Sequence, residues 1–134
     1  TYRTFKQEYE TESYLLDPSI NKRTRQSFAK IRCGVAPIRI ELGRYENGRY
    51  LPVEERICQV CNNGVEDELH VLLKCTLYSD LHGSLNMRAS ELFMDYHNCT
   101  EIEKYVFLMS NSDICKYTAK TCKQILDRRR QYFL

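Results

Sequence analysis

Residues 58–75 read CQVCNNGVEDELHVLLKC and carry the strongest signal in the chain. They place Cys58, Cys61, His70 and Cys75 in a C-x2-C-x8-H-x4-C pattern. A C-x2-C pair can turn both thiolates toward one ion, and Zn²⁺ suits three thiolates and one imidazole better than a hard cation would. Because four protein ligands close the coordination shell, the pattern predicts one structural zinc with no open position for water.

The residues inside this stretch predict how the chain returns to the ion. Gly64 allows the backbone to reverse after the first two cysteines. The acidic residues at 66–68 favour the start of a short helix, because carboxylates interact well with a helix N-terminus. His70 projects from that helix. We expect the helix to end near residues 73–74, so that Cys75 turns back toward the metal.

The remaining cysteines are scattered along the chain. Seven cysteines cannot all form pairs, and four lie outside the metal stretch: Cys33, Cys99, Cys115 and Cys122. This usage is typical of a reducing, intracellular compartment with one metal site. The alternative is three buried structural cysteines beside a solvated histidine. Cys33 and His82 are the substitute ligands to consider.

Length and composition limit the class of protein. A chain of 134 residues with 43% hydrophobic and 28% charged residues is long enough for one core, so we expect a single zinc-binding helical domain over residues 1–134. No apolar run approaches the roughly 18 residues needed to cross a bilayer, which excludes a transmembrane segment, and we expect no membrane partner. Residues 1–17 are too charged for a signal peptide. Because the chain opens on Thr1, we expect a C-terminal fragment of a longer protein.

The hydrophobic pattern predicts a mainly α fold of four to five helices around the zinc-stapled loop. We expect a first helix from Asp17-Pro18 to Gly34 and a last helix that Asp113 caps and that runs to about Tyr132. Further helices are predicted within residues 2–16 and 76–97 and after a capping box at 100–103, and a short hairpin is predicted at Asn47-Gly48.

Positive charge is concentrated in two blocks. Residues 18–33 hold five Lys or Arg and no acid, and residues 114–134 hold six with one acid. Such blocks favour an anionic partner, DNA or RNA. The candidate phosphate contacts are Lys22, Arg23, Arg25, Lys30, Arg32, Arg44, Arg128, Arg129 and Arg130. Neutralising five phosphates predicts a slope of roughly −4 to −5 for log K against log salt.

Each basic candidate has a plainer interpretation. The face of the first helix could simply be solvated, and basic residues in the last turn of a helix are ordinary capping. Arg44 lies beside Tyr45, as Arg49 lies beside Tyr50, and such tyrosines either stack on bases or pack against the protein.

Catalytic motifs are missing from the sequence. There is no H-E-x-x-H, no zinc-deaminase pattern and no glycine-rich phosphate loop. His97 near Cys99 is better explained as a surface histidine at a helix end than as part of a nucleophile pair. We therefore expect no enzymatic activity and no small-molecule substrate.

Four segments together resemble a known family. They are FAKIRCG at 28–34, ELGRY at 41–45, EERICQVC at 54–61 and VEDELHVLLKCTLY at 65–78. They look like the zinc-binding region that lies C-terminal to the reverse transcriptases of non-LTR retrotransposons, with related cassettes in other mobile-element proteins. The resemblance covers about residues 4–81. It implies a nuclear, nucleic-acid-associated accessory domain whose zinc ligands are Cys58, Cys61, His70 and Cys75.

Two alternatives stay open. The chain is also similar to the C-terminal tail of a cut-and-paste transposase, although such tails have fewer residues between the second cysteine and the histidine. A different class of function is a protein-interaction module, which would dock onto the polymerase or transposase core or onto a host factor through aromatic faces. The ten tyrosines of the chain are consistent with that reading.

Overall fold

The computed structural model describes Pro18, residues 20–45 and residues 48–134. Within that part of the chain it contains six α-helices and no β-strand, which confirms the predicted mainly helical fold. The helices are α1 (Lys22–Arg32), α2 (Arg39–Leu42), α3 (Glu68–Leu73), α4 (Ser79–Leu92), α5 (Glu101–Ser110) and α6 (Cys115–Tyr132). Short 3₁₀ turns connect them at Gly43–Tyr45, Val53–Glu55, Thr76–Tyr78 and Tyr96–Asn98.

Helix α1 begins later than the sequence suggested and ends as expected. The prediction of a start at Pro18 was wrong: the helix starts at Lys22, because the Asn21 side chain accepts the Thr24 N–H at 2.9 Å and caps it. At the other end Gly34 has φ +73°, and the Val35 N–H donates to the Lys30 carbonyl at 2.9 Å. This left-handed ending is the one that the glycine predicted.

The caps of the later helices were predicted in part. The Thr100 hydroxyl accepts the Glu103 N–H at 3.2 Å, and the Glu103 carboxylate accepts the Thr100 N–H at 3.1 Å, which confirms the capping box of α5. The prediction that Asp113 caps the last helix was wrong. The Asn111 side chain instead accepts the N–H groups of Asp113 and Ile114, at 2.9 and 3.2 Å, so the turn is built before α6 starts.

The core lies between α6 and the helices packed on it, which are α1, α3, α4 and α5. Phe28 and Ile31 of α1 are fully buried, as are Cys122 and Ile125 of α6. Two residues of the metal stretch, Cys58 and Cys75, belong to the same buried cluster. The metal segment is therefore part of the core.

The remaining expectations concern loops. The predicted helix in residues 2–16, Asp17 and Asn47 lie outside the described residues. Of the hairpin expected at Asn47-Gly48, the described part shows no strands. An isolated antiparallel bridge pairs Ile57 with Val65. No described helix combines the length and apolarity that crossing a bilayer would require.

Candidate metal centre and nucleic-acid interface

The loop that holds the first two cysteines is a tight knuckle. The Cys58 N–H donates to the Gly64 carbonyl at 3.0 Å, and the Asn62 N–H donates to the Cys58 carbonyl at 2.9 Å. Asn62 (φ +53°) and Gly64 (φ +101°) take up left-handed backbone conformations that Asn and Gly tolerate best. The knuckle therefore depends on both residues to reverse the chain.

Helix α3 delivers the other two candidate ligands. The Asp67 side chain caps this helix by accepting the His70 N–H at 2.8 Å. The helix ends at Leu73, and the Cys75 N–H donates to the His70 carbonyl at 2.9 Å. The chain therefore turns Cys75 back toward the knuckle, as predicted.

The four side chains converge on one point. The sulfurs of Cys58 and Cys75 are 3.8 Å apart, and the sulfur of Cys61 is 3.3 Å from Nε2 of His70. All four ligand atoms lie within 4.8 Å of one another. A tetrahedral ion with metal–sulfur bonds of about 2.3 Å requires sulfur–sulfur edges of roughly 3.8 Å. The arrangement can hold a tetrahedral metal ion.

Burial favours the uncharged forms of two side chains in this cluster. Burial, reinforced by the neighbouring Cys58 sulfur, raises the pKa of the Cys75 thiol to about 12. Burial also lowers the pKa of His70, which favours the neutral imidazole that metals bind. Thiolates are the ligand form, and a bound divalent cation would reverse the direction of the Cys75 shift.

The substitute ligands are elsewhere. The Nε2 atom of His82 lies 2.8 Å from the Val71 carbonyl, and Cys33 is exposed at the end of α1. Cys99 donates to the Asp95 carbonyl, and Cys122 is buried in α6. The described cluster thus consists of the four predicted residues.

A buried ion pair lies directly beside the metal loop. Glu66 is fully buried, and its carboxylate accepts two hydrogen bonds from Arg129, from Nε at 3.0 Å and Nη2 at 2.8 Å. The same carboxylate accepts the Arg39 N–H at 2.6 Å. Since the Arg129 side chain is only 11% exposed, this residue links α6 to the metal loop, and the prediction that it contacts phosphates was wrong.

Three more of the basic residues predicted to contact phosphates are either buried or bonded to acidic residues of this chain. Arg32 is 1% exposed and its guanidinium lies over the Phe28 ring, so it does not reach the surface as predicted. Arg128 forms a two-point pair with Asp80, at 2.6 and 3.1 Å. Arg130 is 73% exposed but bonds Asp127 at 2.7 Å. Arg128 and Arg129 therefore fasten α6 to α4 and to the metal loop, whereas the Arg130 bond lies within α6.

The exposed positive charge of α1 is smaller than the sequence suggested. Lys22, Arg23 and Lys30 are exposed. Arg25 is half-buried, and its Nη1 donates to the Ile20 carbonyl at 2.8 Å. Arg44, predicted as a further contact, is half exposed and lies 3.4 Å from Glu41.

Sequence reasoning missed two features of this region. Glu66 and Arg129 are 63 residues apart, and no spacing rule connects them. Arg56, which adjoins the metal stretch, is buried and bonds the Leu51 and Ile40 carbonyls. Of the two, only the burial of Glu66 could have been inferred from the sequence. It is an acid that directly precedes the cap of α3, within the stretch that the Cys/His spacing predicts to fold around a metal.

Comparisons with known protein families, with curated proteins and with solved structures found no match.

Proposed function

We propose that this chain is a zinc-stapled, non-catalytic nucleic-acid-binding domain that positions a mobile-element protein, a reverse transcriptase or a transposase, on element DNA or RNA in the nucleus. The observation that carries the proposal is the surface of α1. This helix exposes Lys22, Arg23 and Lys30, carries no acidic residue, and buries its opposite face in the core. Three exposed cations on a helix that has no acid of its own suit a phosphate backbone.

The ion in this proposal is Zn²⁺. Three sulfurs and one imidazole nitrogen, all within 4.8 Å of one another, match the donor set that zinc prefers and fit its tetrahedral coordination. Its role is structural, because all four positions are filled by protein. Binding one zinc contributes on the order of 10 kcal/mol to folding in small zinc peptides. Elemental analysis should find one zinc per chain, and Co²⁺ substitution should give the intense absorption of tetrahedral thiolate coordination.

The metal centre supports the proposed surface through the core. The zinc would hold the loop and α3 together, and the pair between Glu66 and Arg129 joins that unit to α6. Helix α1 packs against α6. The cations of α1 would then meet a phosphate backbone as a fixed set.

The salt dependence of binding tests this function. With three exposed cations and Arg25 partly available, log K should fall with log salt at a slope of roughly −3 to −4. The combined variant Lys22→Gln, Arg23→Gln and Lys30→Gln should lose most of that slope while its circular dichroism stays unchanged. Arg88→Gln, which removes one exposed charge from α4, is the control. A wild-type affinity that does not change with salt would refute the proposal.

A protein-interaction module is the second candidate. It is favoured by a cluster of exposed apolar side chains at the end of α4, where Leu92 is 50% and Met94 is 92% exposed, with Met87 one to two turns earlier. Exposed apolar groups so close in sequence are more typical of a contact surface than of a solvated helix end. If the α1 variant retained full nucleic-acid binding and Leu92→Ser with Met94→Ser lost association with the parent polymerase or transposase, this candidate would replace the first.

A further inference from the structure

One cavity among the described residues lies beside the metal loop but does not contain the metal ligands. Its volume is about 870 Å³. The end of α1, the start of α3, the 3₁₀ turn after α2, the loop before Arg56 and the side of α5 all contribute to its lining. None of the four predicted metal ligands is among the described lining residues.

One lining residue, Arg56, has an unused donor. Arg56 is 4% exposed. Its Nε and Nη1 donate to the Leu51 and Ile40 carbonyls, each at 2.8 Å, while Nη2 has no hydrogen-bond partner among the described residues. A buried donor of this kind is normally satisfied, so the atom points to a missing acceptor. The side chain above the guanidinium is Tyr50, whose ring centroid lies 5.0 Å away and which is 69% exposed.

Acceptors line the same cavity. The Glu68 carboxylate is largely buried, with one oxygen close to Gly34 at the end of α1. Asp67, which caps α3, and Glu41, which lies near Arg44, also belong to the lining. With three carboxylates and two guanidinium groups, the lining does not favour a simple anion. It suits a flat group whose edge both donates and accepts hydrogen bonds.

We propose that this cavity binds an unpaired nucleotide of a single strand, with its base stacked on Tyr50 and the edge of the base hydrogen-bonded to Arg56 and Glu68. This inference rests on the proposed nucleic-acid function and names its substrate class. Aromatic rings and arginine planes are the usual stacking partners of unpaired bases, and side chains read the exposed base edge. A base inside a duplex cannot enter the cavity, so single strands are bound more tightly than duplexes at this site.

The test compares two exposed tyrosines. Tyr50→Ala should weaken binding of a short single-stranded oligonucleotide about 10-fold, because one stacked base contributes to that extent. Tyr50→Phe keeps the ring and should restore the affinity. Tyr132→Ala removes a similarly exposed tyrosine near the end of α6 and should have no effect. A 2-aminopurine base in the oligonucleotide should lose fluorescence on binding to the wild type and keep it with Tyr50→Ala.

The outcomes separate this inference from the proposed function. Equal affinities of Tyr50→Ala and Tyr132→Ala, or unquenched 2-aminopurine in the wild-type complex, would each overturn the nucleotide site. The salt slope measured with the α1 variant does not depend on these results. If that slope falls as expected while Tyr50→Ala has no effect on affinity, the proposed nucleic-acid function stands and the cavity does not bind a base.

Discussion

Removing Arg129 should destabilise the protein far more than removing its neighbour Arg128. Arg129→Ala deletes two charge-assisted hydrogen bonds, of 2.8 and 3.0 Å, and leaves Glu66 as a fully buried anion whose remaining donor is the Arg39 N–H. Two such bonds correspond to about 3–6 kcal/mol, and breaking a buried ion pair costs about 3–5 kcal/mol. Against a total of about 5–15 kcal/mol for a domain, that loss is large.

Chemical denaturation of the metal-loaded protein, followed by far-UV circular dichroism, measures this effect. Arg128→Ala is the matched control, because Arg128 makes an equally short two-point pair with Asp80 in a much more exposed position. Exposed pairs are weakened by water and salt, so its loss should be several times smaller. The double variant Glu66→Leu with Arg129→Leu should lose less than the sum of the single changes. Equal losses from Arg129→Ala and Arg128→Ala would refute the reasoning.

Three further predictions concern other parts of the molecule. Gly83→Ala should raise the free energy of unfolding by about 1 kcal/mol, because the new Cβ inside α4 meets no atom within 4 Å. Gly34→Ala should lower the free energy of unfolding, since φ is +73° there and a Glu68 oxygen lies 3.2 Å from the new Cβ. Thermal unfolding should therefore shift in opposite directions for the two variants. The hydrogen bond from Arg128 lowers the pKa of Asp80 to about 2. Because the pKa is lower in the folded state, the pair stabilises the fold above about pH 4, and this contribution is lost as the pH falls toward 2. In Arg128→Gln, an NMR titration should show the pKa of Asp80 return to its ordinary value. Chelation of the metal should unfold the protein, and added zinc should restore the circular dichroism spectrum. The Cys61→Ser variant should unfold at a lower chelator concentration than the wild type. An unchanged spectrum after exhaustive chelation would contradict the metal assignment.

The metal cluster was predictable because its information is local. Spacing within residues 58–75, a glycine for the reversal and an acidic helix start were enough to place four ligand atoms together. The capping box at Thr100 and the left-handed ending at Gly34 were predictable for the same reason, since each is decided by residues within one or two turns.

The basic residues were not predictable in this way, because their roles depend on distant partners. Arg32 belongs to the positive face of α1 by sequence, yet it is buried. Arg129 has the spacing of a helix-end cation, but its carboxylate partner is Glu66, far away in the chain. The sequence pattern also failed to identify two helix starts: α1 starts after Asn21 and not at Pro18, and the Asn111 side chain, not Asp113, accepts the N–H groups before α6.

The pair between Glu66 and Arg129 has a consequence for synthesis on the ribosome. Glu66 is synthesised 63 residues before its partner Arg129, so the nascent metal loop must keep that carboxylate hydrated until α6 is available. The interior around the loop therefore closes only when α6 docks onto it. Completion of the fold around the four converging side chains thus waits for a helix that is made later in the chain.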